Sequence, residues 1–157
     1  MSIDSVRSLN APTTSELEAL AEIFDQYRAH YDEPSDAASS RRWLEQCLGS
    51  GRLRAFVAED GRRIIGFATV TDIPASLRLA HFWQIRDLFV LPSHRRLGVA
   101  RALLASVRAA AVESGALRIA LQTENDNVAA LRLYAESGYE QVNGYRSLIL
   151  PLDTDAP

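Results

Sequence analysis

Residues 91–104 read LPSHRRLGVARALL: a proline, a pair of arginines, a lone glycine and then an apolar run. A stretch rich in aromatic and branched residues, HFWQIRDLFVL at 81–91, precedes it and reads as a long strand stopped by Pro92. Ala100, Leu103, Leu104, Val107 and Ala111 follow at the spacing of an amphipathic helix that runs to Ser114 and Gly115. A short loop carrying Arg95 and Arg96 therefore joins a strand to a helix opened by Gly98. The first amides of a helix have no partner within it, and the helix dipole adds partial positive charge there. Together they suit an anion such as a phosphate. A ligand-free strand-to-helix turn would be spelled the same way, and a basic helix start would also serve nucleic acid. The surrounding sequence has to choose among the three.

Upstream, residues 2–9 alternate weakly and suggest a first strand through Ile3, Val6 and Leu9. Thr13 and Glu16 have the spacing of a capping box, and Leu17, Leu20, Phe24, Tyr27 and Tyr31 share one helical face behind it. The polar stretch DEPSD ends that helix, and a shorter one follows over 38–48, stopped by Gly49 and Gly51. Two β-rich runs flank Asp60-Gly61, a strong hairpin signal, and 74–80 reads as a loop. Downstream come a strand at 117–123, a helix at 127–137 closed by Gly138, and two short strands, YEQV and YRSLILPL, joined at Asn143-Gly144. The order β-α-α-β-β-β-α-β-α-β-β predicts one α/β (α+β) domain over 1–157, with 152–157 a disordered tail. Its expected sheet is mixed and mostly antiparallel, about seven strands wide, with helices on both faces.

Composition narrows the function. The 157 residues are 47% apolar and 24% charged, ordinary globular values. All 17 basic residues are arginine, set against 20 acidic ones for a net charge of −3, which disfavours a general nucleic-acid binder. Cys47 is the sole cysteine, so no intrachain disulfide forms, and its helical setting suggests a buried, inert thiol. No apolar run reaches membrane-spanning length, and a cytoplasmic location is expected. His30, His81 and His94 lack metal-ligand spacing, so no metal is expected.

A second segment bears on the loop. Asn127 to Tyr134 spell N-x-x-A-x-x-L-Y, followed by ESGY at 136–139, and a helix and a strand separate this segment from R-x-x-G-x-A at 95–100. Both segments together, in this element order, resemble the GNAT N-acetyltransferases over nearly the whole chain. The spelling DLFV at 87–90 is closest to the branch containing diamine and polyamine acetyltransferases.

That resemblance implies acetyl-CoA (coenzyme A after transfer) as co-substrate and a small-molecule amine as acceptor. It assigns main-chain groups of Leu88, Phe89 and Val90 to the pantetheine arm. The loop Arg95, Arg96, Leu97, Gly98, Val99, Ala100 and Arg101 would hold the pyrophosphate. Asn127 would bond the cofactor near its pantetheine, and Tyr134 would protonate the departing thiolate. Transfer would be direct, within a ternary complex, and the family also implies a homodimer. The chemistry explains the residue types: an amine attacks only when neutral, yet an alkyl ammonium has a pKa near ~10.4, so a base or a desolvating site must remove a proton. Asp87, Glu124 and a water relay are the alternatives for that base. Tyr27, Tyr31, Arg86 and Asp87 are the candidate acceptor-side residues, with Asp32 and Glu33 beside them. Where the polyamine branch usually carries a glutamate before the aspartate, Arg86 stands here, and a cleft-lining guanidinium would favour an amine that also carries an anionic or acceptor group. Two further readings remain: acetylation of a protein N-terminus or lysine, and a non-catalytic acyl-CoA-binding module.

Overall fold

The computed structural model describes residues 3–152. The expected tail beyond 152 lies outside them. In chain order the elements are β1 (Ser5–Ser8), α1 (Thr14–His30), α2 (Ala37–Gly49), β2 (Arg54–Asp60), β3 (Arg63–Ala75), β4 (Ala80–Val90), α3 (Val99–Glu113), β5 (Ile119–Ala120) and α4 (Val128–Glu136). The strands form one sheet in the order β1-β2-β3-β4-β5. The first three pairings are antiparallel, and β5 joins β4 in parallel.

Local chemistry sets the element ends. Thr13 accepts from the Glu16 amide at 3.2 Å while the Glu16 carboxylate accepts from the Thr13 amide at 2.8 Å, so the expected capping box is present. The β2–β3 turn is centred on Gly61-Arg62, one residue later than Asp60-Gly61, because Asp60 pairs with Arg63 across the ladder. Gly61 supplies the positive φ, 61°, that the turn needs. The expected loop at 74–80 is shorter: β3 continues to Ala75, and a 3-10 turn at Ser76–Arg78 leads straight into β4.

The core lies on both faces of the sheet. On one, Phe24 of α1 packs against Phe67 with ring centroids 5.7 Å apart. On the other, α3 sits so close to β3 that a Cβ on Gly66 would meet Val99 at 3.0 Å and Leu103 at 3.3 Å. Leu20, Leu44, Phe67, Trp83, Leu103 and Val107 are fully enclosed, and each aliphatic or Phe side chain so buried contributes about 1.5–3 kcal/mol. Cys47 is buried in α2, consistent with an inert thiol. Asp25, buried at the α1–α2 junction, accepts from Ser35 at 2.5 Å, from the Asp36 amide at 2.8 Å and from Ser40 at 3.2 Å. Those bonds, that of Ser35 foremost, hold its carboxyl below the usual range.

Two expectations need correction. The sheet has five strands, not seven, because 139–142 and 145–152 form no ladder: among the described residues, 140–152 make no hydrogen bond and are exposed throughout. Of the expected strand at 117–123, only Ile119–Ala120 pair with β4.

Candidate active site

The parting of β4 from β5 creates the site. Pairing ends at Gln84 opposite Ala120, yet β4 continues to Val90, bonded to β3 on its other side. The β4 edge over 86–90 therefore has no strand partner among the described residues. Leu88, Phe89 and Val90 all lie on it. An extended amide-bearing ligand fits such an edge by adding main-chain hydrogen bonds.

At the end of that edge the chain turns sharply twice before α3. Arg96 has φ 62° and Gly98 has φ 82°, both left-handed. A Cβ on Gly98 would meet nothing within 4 Å, so the glycine is needed for its conformation rather than for space. No side chain caps α3 at Gly98, which leaves the first amides of the helix, from Val99 to Arg101, available to an anion. Val99 is buried against Gly66 and fixes the helix start on the sheet, while Leu97 is half exposed and Ala100 keeps the rim low.

The arginine side chains are engaged differently. Arg95 donates to the Val90 carbonyl at 3.0 Å and lies 5.5 Å above the Phe89 ring, clamping the loop to β4. Arg101 bonds Glu136 at 2.6 Å and so ties α3 to the end of α4, where Arg132 also meets Glu136. Arg96 is exposed, with its guanidinium in no ion pair among the described residues.

The acceptor side rests on an irregularity in β4. Thr69 lies opposite Asp87 and Val70 opposite Ile85, so Arg86 is an extra residue in a β-bulge. Facing pairs share one side of a sheet. Ile85 therefore shares the α3 face with Val70 and Gly66, whereas Asp87 and Phe89 share the α1 face with Thr69 and Phe67. Strict alternation would have put Asp87 with Trp83 and Ile85 in the α3 core. The bulge instead turns it toward α1, where Tyr27 donates to its Oδ1 at 2.9 Å and the Thr69 hydroxyl donates to its Oδ2. Arg86 is left exposed on the bulge.

Aromatic rings wall this end. Tyr27 sits edge-on to Tyr31 at 5.3 Å and to Phe67 at 5.6 Å, and lies 5.7 Å from Phe89. Burial, followed by the Asp87 charge and hydrogen bond, raises the Tyr27 phenol far above its ordinary value. The Tyr31 phenol is raised by burial and then by Glu124, and Tyr134 by burial, then Tyr31 and Glu124. Tyr31 and Tyr134 thus both feel the Glu124 charge, although the three come from the end of α1, α4 and the loop after β5. Tyr134 packs edge-on to Tyr139 at 5.8 Å, and its hydroxyl has no hydrogen bond among the described residues. Asn127 caps α4 by accepting from the Ala130 amide at 3.3 Å, a structural duty the spacing did not reveal; its amide nitrogen remains free to donate.

Asp32 and Glu33 sit outside this cluster: Asp32 occupies a left-handed turn position, and Glu33 lies exposed, 3.9 Å from Arg28. Thr69 and the bulge are the site features that sequence reasoning missed. A threonine in an alternating strand carries no sign of which residue faces it. A shallow concavity of about 450 Å³ between α1 and the β2–β3 turn contains none of the converging groups, and the site is an open groove. No cluster of three metal-binding side chains occurs among the described residues, and no helix there is long and apolar enough to cross a membrane.

This arrangement has parallels in known proteins. A crystal structure of a probable acetyltransferase superposes with a TM-score of 0.87 at 28% identity, covering 96% of this chain and 99% of that one. The uncharacterized N-acetyltransferase YhfO of Bacillus subtilis strain 168 is 33% identical over 132 residues, 84% of this chain and 89% of its own. An aminoglycoside N(6')-acetyltransferase type 1 of Salmonella typhimurium is 28% identical over 100 residues, 62% of this chain and 69% of its own. The model of the acetyltransferase (GNAT) family matches residues 17–139, a span that takes in the split β4 edge, the uncapped α3 start and Tyr134 alike, and the chain belongs to that family of N-acetyltransferases.

Proposed function

We propose that the protein transfers an acetyl group from acetyl-CoA to a primary amine of a small cationic molecule, by direct attack within a ternary complex. The observation that carries this reading is the continuity of the groove. An unpaired strand edge leads from a cluster of free helix amides to a carboxylate-and-phenol cluster on the other side.

In this reading the pyrophosphate meets the α3 amides, with Arg96 adding charge, and the pantetheine amides pair with the β4 edge at 88–90. Asn127 offers its side-chain amide across the gap. The thioester carbonyl then lies between Tyr134 and the acceptor. Each oxygen of Asp87 accepts one hydrogen bond and keeps lone pairs for an ammonium or a water. Asp87 and Glu124 therefore attract the cationic amine and pass its proton toward water. The neutral amine nitrogen bonds to the carbonyl carbon, the C–S bond breaks, the sulfur takes the proton of Tyr134, and the proton that the acylated nitrogen sheds returns through water to the phenolate. A phenol with a raised pKa keeps that proton at neutral pH until the thiolate appears. Holding both substrates side by side supplies most of the remaining rate.

The charges that act on Tyr27 are those of Asp87 and Glu124, which supports diamines, polyamines and amino sugars over amino acids. The aminoglycoside-acetylating relative supports the same class. The test is acetyl-CoA-dependent thiol release by purified protein across polyamines, amino sugars, amino acids and peptides, with both substrates varied. Intersecting double-reciprocal lines and a polyamine or amino-sugar preference are expected. Parallel lines would overturn direct transfer, and preference for a peptide N-terminus or lysine would overturn the small-molecule acceptor.

A further inference from the structure

Thr69 is one of the few polar side chains in the core, fully enclosed in β3, and no step of the proposed transfer uses it. Across the sheet it faces Ala55 of β2 on one side and Asp87 of β4 on the other. Phe67 and Val70 in the same strand are as deeply buried. A hydroxyl taken out of water in such surroundings is costly unless it is bonded, and valine, of the same shape, would avoid that cost. Among the described residues the Thr69 side chain makes one hydrogen bond, and it goes to Oδ2 of Asp87.

That bond settles what the first bond to the carboxylate leaves open. Tyr27 donates to Oδ1 from α1 at 2.9 Å. Held there alone, a carboxylate still swings about its last side-chain bond, whose torsion has broad wells. A donor on Oδ2, from a different element, fixes the plane of the group. The two supports differ in kind. Tyr27 is half-buried on a helix and reaches Asp87 through a long side chain. Thr69 is short and set in the middle strand of the sheet, paired on both sides, so it is the rigid one. The bulge completes the arrangement. Continued from the Val70–Ile85 pair without an extra residue, the ladder would set Arg86 opposite Thr69; with it, the carboxylate takes that place.

We propose that Thr69 is a positioning residue for the acetyl transfer: its hydroxyl fixes the plane of the Asp87 carboxylate, so that the remaining lone pairs meet the acceptor's ammonium in one direction. Thr69 has no exposed surface and touches neither substrate; it acts through Asp87. A reactant held at a fixed angle reacts faster than one held loosely. The proposal deepens the reading of Asp87 as the acceptor-side carboxylate and rests on it.

The test is a double-mutant cycle in the purified protein, with spermidine and an aminoglycoside as acceptors. Thr69→Val is expected to lower kcat/KM for the amine by about fivefold, the value of one hydrogen bond. KM for acetyl-CoA, and the rise in melting temperature with coenzyme A, are expected to stay as in the native protein. Thr69→Ser, which keeps the hydroxyl, is expected to remain within about twofold of native kcat/KM. In an Asp87→Ala background the valine change is expected to cost no more than about twofold further, because residues that act as a pair do not add. Native kcat/KM in the valine variant would overturn the proposal. So would full additivity with Asp87→Ala, a serine variant as poor as the valine one, or a matching rise in KM for acetyl-CoA, each of which marks a packing residue. If Thr69→Val does not fold, Thr69→Ala removes the same hydroxyl with less bulk and carries the same expectations. Asp87→Ala without effect, or no turnover of either amine, would instead sink the reading of Asp87 itself, and the role of Thr69 with it.

Discussion

At the α3 end of the groove the groups offered to a ligand are main-chain amides, whereas at the α1 end they are side chains drawn from four elements. Amides from Val99 to Arg101 are positioned by one helix start and by two left-handed residues within three positions. Tyr27, Thr69 and Asp87 come together only because α1 crosses β3 and β4 and because β4 bulges at Arg86, and Glu124 adds its charge from the loop after β5. A main-chain site tolerates changes of side chain but not of conformation or local charge. A side-chain site is the reverse, and its losses are graded by what each group touches.

The largest effect expected from this contrast is at Gly98. Coenzyme A is expected to raise the melting temperature of the native protein by mass action. Gly98→Glu, which adds negative charge and a side chain at φ 82°, is expected to abolish that rise. Gly98→Asn, tolerant of left-handed backbone, is expected to retain part of it. An undiminished shift in the glutamate variant would show that the phosphate lies elsewhere.

At the other end, Tyr134→Phe is expected to lower kcat by ~10²-fold or more with coenzyme A affinity nearly unchanged, if the phenol is the acid. Turnover close to normal when chemistry limits the rate would leave Tyr134 a packing role beside Tyr139. Asp87→Asn removes one charge but keeps the volume. Its expected cost is about tenfold or more in kcat/KM for a cationic acceptor, the value of hydrogen bonds to a charged group, with KM for acetyl-CoA unaffected. A matching rise in KM for acetyl-CoA would mean that the two ends are not separate.

Gly66→Ala probes the main-chain end from beneath. The new Cβ would press on Val99 and on the Phe89 carbonyl at 3.1 Å, so α3 has to shift. A loss of about 1–3 kcal/mol in urea unfolding is expected, with weaker coenzyme A binding. The smallest effect belongs to Arg86→Glu. An exposed bulge residue without an ion pair is expected to change kcat/KM for spermidine by no more than about threefold. A larger gain would bring Arg86 back to the acceptor side, as the sequence reading had it.

Gly98 and the arginines of the loop were legible because short-range chemistry sets them at fixed spacing in a strand-to-helix turn, whereas Asn127 and Tyr134 entered only through the resemblance. The first helix was legible for the same reason, through Thr13 and Glu16. Misreadings cluster where pairing is long-range. Residues 145–150 have the local composition of a strand, but a strand exists only when another strand lies beside it, and none does among the described residues. Nothing in QIRDLFV announces the bulge at Arg86.

What the sequence determined by itself is therefore the order of the elements as far as α4 and the left-handed turn that opens α3, since both follow from backbone preferences within a few residues. What only the tertiary structure decided is which face Asp87 occupies and what it meets. One unpaired residue in β4 reverses the strand's alternation, because side chains point to opposite faces with a period of two. That reversal takes a carboxylate out of the core beside Trp83 and Ile85 and sets it against Tyr27 and Thr69, residues 60 and 18 positions away in the chain.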